Sequence, residues 1–290
     1  MLRVLSDSGM RSARVNIMKK TRKNPPQVSS DTYLVDTHCH LDMRGYEDLD
    51  EIIASAADQG VGGIITIGID VQSSRHAVTI ARRYKNVWAT IGIHPHNAEN
   101  TSPEHFNQLA TLALDKSNKV VGYGEIGLDY AKNYAPKERQ IKEFVHQLHL
   151  AKDLKLPVII HDRDAHEDTL QLLKQHGPFP DGGVMHCFSG DSALADQVID
   201  LGFYISIPGI ITFKKSATLQ QVAREIPLEH IILETDGPFL APVPYRGKTN
   251  RPEYLAFTAQ KVADLKGISL DDVARITTEN SKTLFKIYQH

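Results

Sequence analysis

From Tyr33 onward, short apolar runs alternate with longer amphipathic segments. Eight runs predict strands, at 33–38, 62–67, 87–91, 119–124, 157–161, 183–186, 203–207 and 230–234. Most are near-continuous in Val, Ile, Leu and Tyr, the pattern of parallel strands buried on both faces. Between them the apolar positions recur at helical spacing, over 48–59, 73–83, 103–114, 136–154, 165–174 and 192–201. Ser102 can cap with Pro103 at the first helical position, and Pro136 opens another helix. Two further helices, 253–266 and 270–288, close the chain. Eight βα repeats over about 250 residues predict the α/β class and a TIM-type (β/α)₈ barrel. No repeat, low-complexity tract or linker interrupts it, so 33–290 reads as one domain.

Such barrels carry their active sites at the C-terminal ends of the strands. Six residues of metal-ligating type fall at those ends: His38 and His40, Glu125, His161, His186 and Asp236. Other histidines, such as His76, His105, His146, His149, His176 and His290, fall on helices and loops, so the coincidence of residue type with position is informative. His38 and His40 are two apart, which places both imidazoles on one face of a strand. A carboxylate at Glu125 can bridge two cations, which imidazole cannot. Asp236 is either a cap for the next segment or a ligand that also accepts a proton from bound water. Glu234 and Asp42 are candidates to orient the histidines from behind.

Composition narrows the reading. The net charge of −2 gives no global basic field, so any nucleic-acid binding must rest on a local patch or on metals. That patch exists at the expected mouth. His94 and His96 close strand three, Arg163 follows His161, Lys214 and Lys215 follow strand seven, and Arg246 and Lys248 follow strand eight. Of these, His94, Arg163, Arg246 and Lys248 are the candidate substrate contacts, suited to an anionic group such as a phosphodiester. Cys39 and Cys187 are too few for a disulfide framework and read as reduced packing residues, turned away from the ligands by strand alternation. No apolar stretch approaches a membrane span, and a cytoplasmic monomer is expected. Residues 1–32 are basic and acid-poor, with seven Arg or Lys against Asp7 and Asp31. They superficially resemble an organellar transit peptide; the simpler expectation is a disordered tail or an over-long start before Met10 or Met18. Gly122, Gly124 and Gly127 match a dinucleotide-binding fingerprint, but no helix opens after them, so they read as backbone room around Glu125.

The motifs as a set resemble the TatD family of metal-dependent hydrolases, in order from Asp36 to Lys286. They are Asp-Thr-His-Cys-His-Leu-Asp, Gly-Ile-His-Pro-His, Gly-Glu-Ile-Gly-Leu-Asp-Tyr, Ile-His-Asp-Arg-Asp-Ala, His-Cys-Phe-Ser-Gly and Glu-Thr-Asp-Gly-Pro-Phe-Leu-Ala-Pro. The resemblance implies two divalent metal ions (Mg, Mn or Zn), one held by His38, His40 and Asp236 and the other by His161 and His186, with Glu125 bridging. It also implies 3′→5′ exonuclease action on single-stranded or damaged DNA. Gly237 departs from the family's usual Ser or Ala, and Phe239 from its usual Tyr. The expected chemistry is phosphodiester hydrolysis by metal-activated water, with Glu125 and Asp236 as the catalytic carboxylates. A hydrolase of a small ester, amide or lactone would use the same site. A non-catalytic metal-dependent nucleic-acid-binding module is the third reading.

Overall fold

The computed structural model describes residues 24–132 and 134–288. Eight strands, β1 (Leu34–Cys39), β2 (Val61–Thr66), β3 (Val87–Ile91), β4 (Val120–Asp129), β5 (Val158–Arg163), β6 (Gly183–Met185), β7 (Phe203–Ile207) and β8 (Ile231–Leu233), pair in parallel in sequence order. The first and last strands meet through amides that continue both: Asp236 donates to His38 O at 2.9 Å and His40 to Gly237 O at 2.7 Å. The predicted barrel is therefore present.

Helices α1 (Leu49–Asp58), α2 (Val71–Arg83), α3 (Pro103–Leu114), α4 (Lys137–Leu154), α5 (His166–His176), α6 (Ser192–Asp200), α7 (Ala217–Glu225), α8 (Leu255–Lys266) and α9 (Leu270–Phe285) follow or close the strands. Their starts are held by local chemistry. Asp48 accepts the Glu51 amide, and Asp70 and Ser73 form a reciprocal capping box. Helix α7, in the β7–β8 connection, has no counterpart in the pattern. Only Leu219, Val222 and Ala223 of its nine residues are buried, too narrow a stripe to announce a helix.

Alternation along the strands separates two packing layers. Val158, Ile160, Met185, Ile231 and Leu233 join the layer between sheet and helices. Ile159, Val184 and Ile232 join a second cluster with Val35, Ile65 and Ile67, closed by Leu284, Phe285 and Ile287 from the chain's end. Because side chains repeat with period two, His161, His186 and Glu234 stand directly beyond Ile159, Val184 and Ile232. The apolar plug thus ends where the polar cluster begins.

Two strand ends differ from expectation. Strand β4 runs on to Asp129 and β5 to Arg163, so Glu125 and His161 lie within strands and not at their last residues. The extension is permitted by glycine. Gly127, at φ +141°, lies so close to the His161 backbone that a Cβ would collide with it. Of the predicted extension, residues 1–23 lie outside the described residues. Residues 24–32 run against the barrel, where Val28 packs on the core and the Ser29 amide donates to Asp271 Oδ1 at 2.8 Å.

Tyr123 supplies a stability test. Its hydroxyl is fully buried and has no hydrogen-bond partner among the described residues. An unpaired buried hydroxyl contributes nothing to offset its desolvation, so Tyr123→Phe should be neutral or stabilising by about 1 kcal/mol. Urea unfolding measures this, and a loss above about 2 kcal/mol would show that the hydroxyl has a partner.

Candidate metal centre

The other five predicted ligands converge around Glu125, whose side chain is 5 % exposed. Its two oxygens face different groups. Oε2 lies 3.4 Å from His38 Nε2 and 3.8 Å from His40 Nε2. Oε1 lies 2.7 Å from His161 Nδ1 and 3.0 Å from His186 Nε2. Asp236 joins the first group, its Oδ1 3.5 Å from His40 Nε2 and 3.9 Å from His38 Nε2. The Nε2 atoms of His38 and His40 are 3.3 Å apart, so two imidazole nitrogens and two carboxylates crowd together. Cations answer the chemistry of such a donor set better than protons do.

The electrostatics follow from burial. Desolvation pushes His38 down to about 3, assisted by the stacked ring of His186, whose centroid is 3.8 Å away. His38 is thereby kept in the neutral form that ligates metal. Burial alone would raise Glu125, but the surrounding imidazoles of His186, His94 and His161 hold it well below the usual carboxylate range. His186 is also buried, yet Glu125 and Glu234 hold it well above an ordinary imidazole.

The cluster is braced from behind. Glu234, fully buried, accepts from the Cys187 amide at 2.7 Å and the Ser206 hydroxyl at 2.6 Å, and its Oε1 lies 3.4 Å from His186 Nδ1. Asp36 accepts from the Thr235 amide and hydroxyl, at 2.9 and 2.6 Å, which ties β1 to the segment carrying Asp236. Burial pushes the Asp36 carboxyl up to about 7 despite those bonds. Asp42, the other residue expected to orient a histidine, makes no hydrogen bond through Oδ1 among the described residues.

Glu234→Gln should weaken metal affinity about 10- to 100-fold while the fold survives, because the amide still accepts from Cys187 but loses its charge opposite His186. Metal titration followed by calorimetry measures this. An affinity within threefold of wild type would reduce Glu234 to a backbone anchor.

The remaining predicted residues separate. His94 reaches the cluster, with Nε2 3.4 Å from Glu125 Oε1. Its Nδ1 accepts the His96 amide at 3.1 Å, and burial pushes the ring down to about 4. It is therefore neutral, with its one N–H on Nε2 facing inward. Arg163 is exposed at the end of β5. Arg246 lies over the Phe213 ring, 4.7 Å from its centroid. Together with Lys248 it lines a crevice of about 1150 Å³ beside Glu51, Ser55, Arg251 and Glu253, a lining that contains none of the six candidate ligands.

Asp129 is the functional candidate that strand reasoning missed. It is fully buried, and its Oδ2 lies 3.2 Å from His161 Nε2 and 2.7 Å from His96 Nε2. Gln140 of α4 clamps its backbone on both sides, accepting from the amide at 2.8 Å and donating to the carbonyl at 3.0 Å. Ending β4 at residue 124 concealed it. On a strand continued to 129, the even spacing from Glu125 places both carboxylates on one face.

The cysteines divide. Cys39 is buried, its Sγ 3.5 Å from Tyr46 Oη, away from the ligands. Alternation does not govern Cys187, which follows the end of β6 at φ +45°. Gly237 is explained by the same corner, since a Cβ there would collide with Tyr46 Oη.

The chain is similar to known proteins along most of its length. Residues 35–286 match the family described as TatD related DNase. The chain is 40 % identical over 255 residues to the uncharacterized metal-dependent hydrolase YabD of Bacillus subtilis, covering 88 % of this chain and 99 % of that protein. It is 34 % identical over 246 residues to the 3′-5′ ssDNA/RNA exonuclease TatD of Salmonella typhimurium, covering 83 % and 94 %. The crystal structure of YjjV, a TatD homologue from Escherichia coli, superposes with a TM-score of 0.84 at 34 % identity, covering 88 % of this chain and 98 % of that one.

Proposed function

We propose a phosphodiester of single-stranded DNA as the substrate of this chain, which belongs to the TatD related DNase family and is a metal-dependent hydrolase. One observation carries the reading: the two oxygens of Glu125 face two separate sets of nitrogen ligands. A carboxylate so placed suits two cations side by side, the arrangement that clamps both the attacking and leaving oxygens of an in-line displacement at phosphorus. One cation would be held by His38, His40 and Asp236, the other by His161 and His186, with Glu125 shared. When bound, such cations supply a water of lowered pKa and neutralise charge on the phosphate.

The chain's own groups supply the rest. Asp236 takes the proton of the attacking water; its side chain is 13 % exposed against 5 % for Glu125, so it alone of the two carboxylates opens towards solvent. His94 offers its Nε2 hydrogen to a phosphate oxygen, and Arg163 at the rim meets the remaining charge. Arg246 and Lys248 lie beyond the ligands and suit phosphates further along the strand. The relative from Salmonella is a 3′-5′ ssDNA/RNA exonuclease, which supports this substrate class and a 3′→5′ direction.

The test is degradation of 3′- and 5′-labelled single strands by protein stripped of metal and reloaded separately with Mg, Mn and Zn. Metal-dependent loss of the strand from its 3′ end, absent in His161→Ala, is the expected result. Strands left intact under every metal would transfer the same centre to a small ester or amide.

A further inference from the structure

Among the described residues, seven large apolar side chains are substantially exposed, and four belong to two loops at the C-terminal face of the barrel. Phe239, Leu240 and Val243 lie in the loop after β8, and Tyr134 lies in the loop after β4. The two aromatic rings lead towards the two oxygens of Glu125, Phe239 through one side chain and Tyr134 through several. Phe239, 48 % exposed, stands edge-to-face with His40 at 6.0 Å between centroids, on the Oε2 side. Tyr134, 65 % exposed, stands edge-to-face with His96 at 4.7 Å. His96 in turn meets Asp129, which meets His161 on the Oε1 side.

A perpendicular neighbour covers at most one face of a ring, so each keeps a free face for a ligand. Rings left exposed beside a buried polar centre cost solvation without adding to the core. Planar aromatic partners gain from them, and nucleobases are the planar groups that a phosphodiester carries on either side.

We infer that Phe239 and Tyr134 are base-stacking residues that receive the two nucleobases flanking the phosphate held over Glu125. This rests on the phosphodiester reading and adds the reason for a single strand: two bases stacked on separate rings must be unstacked from each other, which a duplex resists. Leu240 and Val243 extend the apolar shelf on the Phe239 side.

The experiment uses metal-loaded protein and two strands, each with a single 2-aminopurine at one of the last two 3′ positions and abasic neighbours, so that the free probe has no adjacent base to stack on. A methylphosphonate linkage that resists cleavage joins those two positions. Stacking quenches the probe. Wild type should quench it in both strands, whereas Phe239→Ala and Tyr134→Ala should each lose most of the quench in one of them. On an ordinary strand each should raise KM about 10- to 100-fold, with a much smaller change in kcat. Phe239→Trp and Tyr134→Phe should restore quench and KM. On a strand ending in two abasic residues, wild type should fall to the level of the alanine variants. Leu114→Ala, exposed at the end of α3, serves as the surface control. Wild-type KM and quench in both alanine variants, alongside active wild type, would overturn the stacking assignment and leave the phosphodiester reading intact. Wild type that neither binds nor cuts strands with any metal would overturn both.

Discussion

On the proposed two-cation centre, Glu125→Gln is expected to lower turnover about 10³-fold or more and to reduce the bound metal from two equivalents to one or fewer per chain. The side chain has two oxygens, and each faces its own set of imidazoles, at 3.4 and 3.8 Å on one side and 2.7 and 3.0 Å on the other. An amide keeps one oxygen and turns an N–H₂ towards the other set, so a cation held there would meet N–H where it needs a lone pair. It also removes the negative charge that would offset two cations in a largely buried site. Metal content after dialysis and turnover on a single strand are the two readouts, with circular dichroism to confirm the fold. Retention of two equivalents together with a tenth of wild-type turnover would show that the cations do not share this carboxylate.

How far the chain could be read in advance depends on the range of the interactions that fix each part. The barrel was legible because buried parallel strands leave long apolar runs, and the six convergent residues because the ends of those runs mark one face. Strand ends were the weak point. Val120–Asp129 contains three glycines, which ordinarily punctuate chains, and the strand persists because glycine lets β4 approach the backbone of β5 closely. Only that tertiary contact reveals that Asp129 shares a face with Glu125 and backs His161. Glu234 was legible as a support for a histidine, from its position two residues before Asp236. Its bonds to the Cys187 amide and Ser206 could not be read, since they join strands up to 47 residues apart. Arg246 and Lys248 lie in the loop after β8, and sequence fixes that loop's place in the order but not its direction. The loop folds back over α1, towards Glu51 and Ser55, and takes both cations to the crevice there.

Asp236→Asn separates proton transfer from binding, and at saturating metal it should lower kcat about 10²- to 10⁴-fold. The change preserves shape and one oxygen, so a labelled strand should still bind with an affinity within about threefold to tenfold of wild type, as read by fluorescence anisotropy. The assignment follows from position. Asp236 Oδ1 shares the His38 and His40 side of the cluster, the residue is held at φ +56° by its amide bond to His38 O, and its carboxylate is more open to solvent than that of Glu125. A base that must pass its proton to bulk water needs that opening, whereas a carboxylate shared between cations does not. Recovery of turnover by added metal would mean that the substitution merely weakens ligation. More than about a tenth of wild-type turnover without such rescue would move the base elsewhere. Glu125 would be a poor successor, since the imidazoles that hold its carboxyl well below the usual range also make it a weak base.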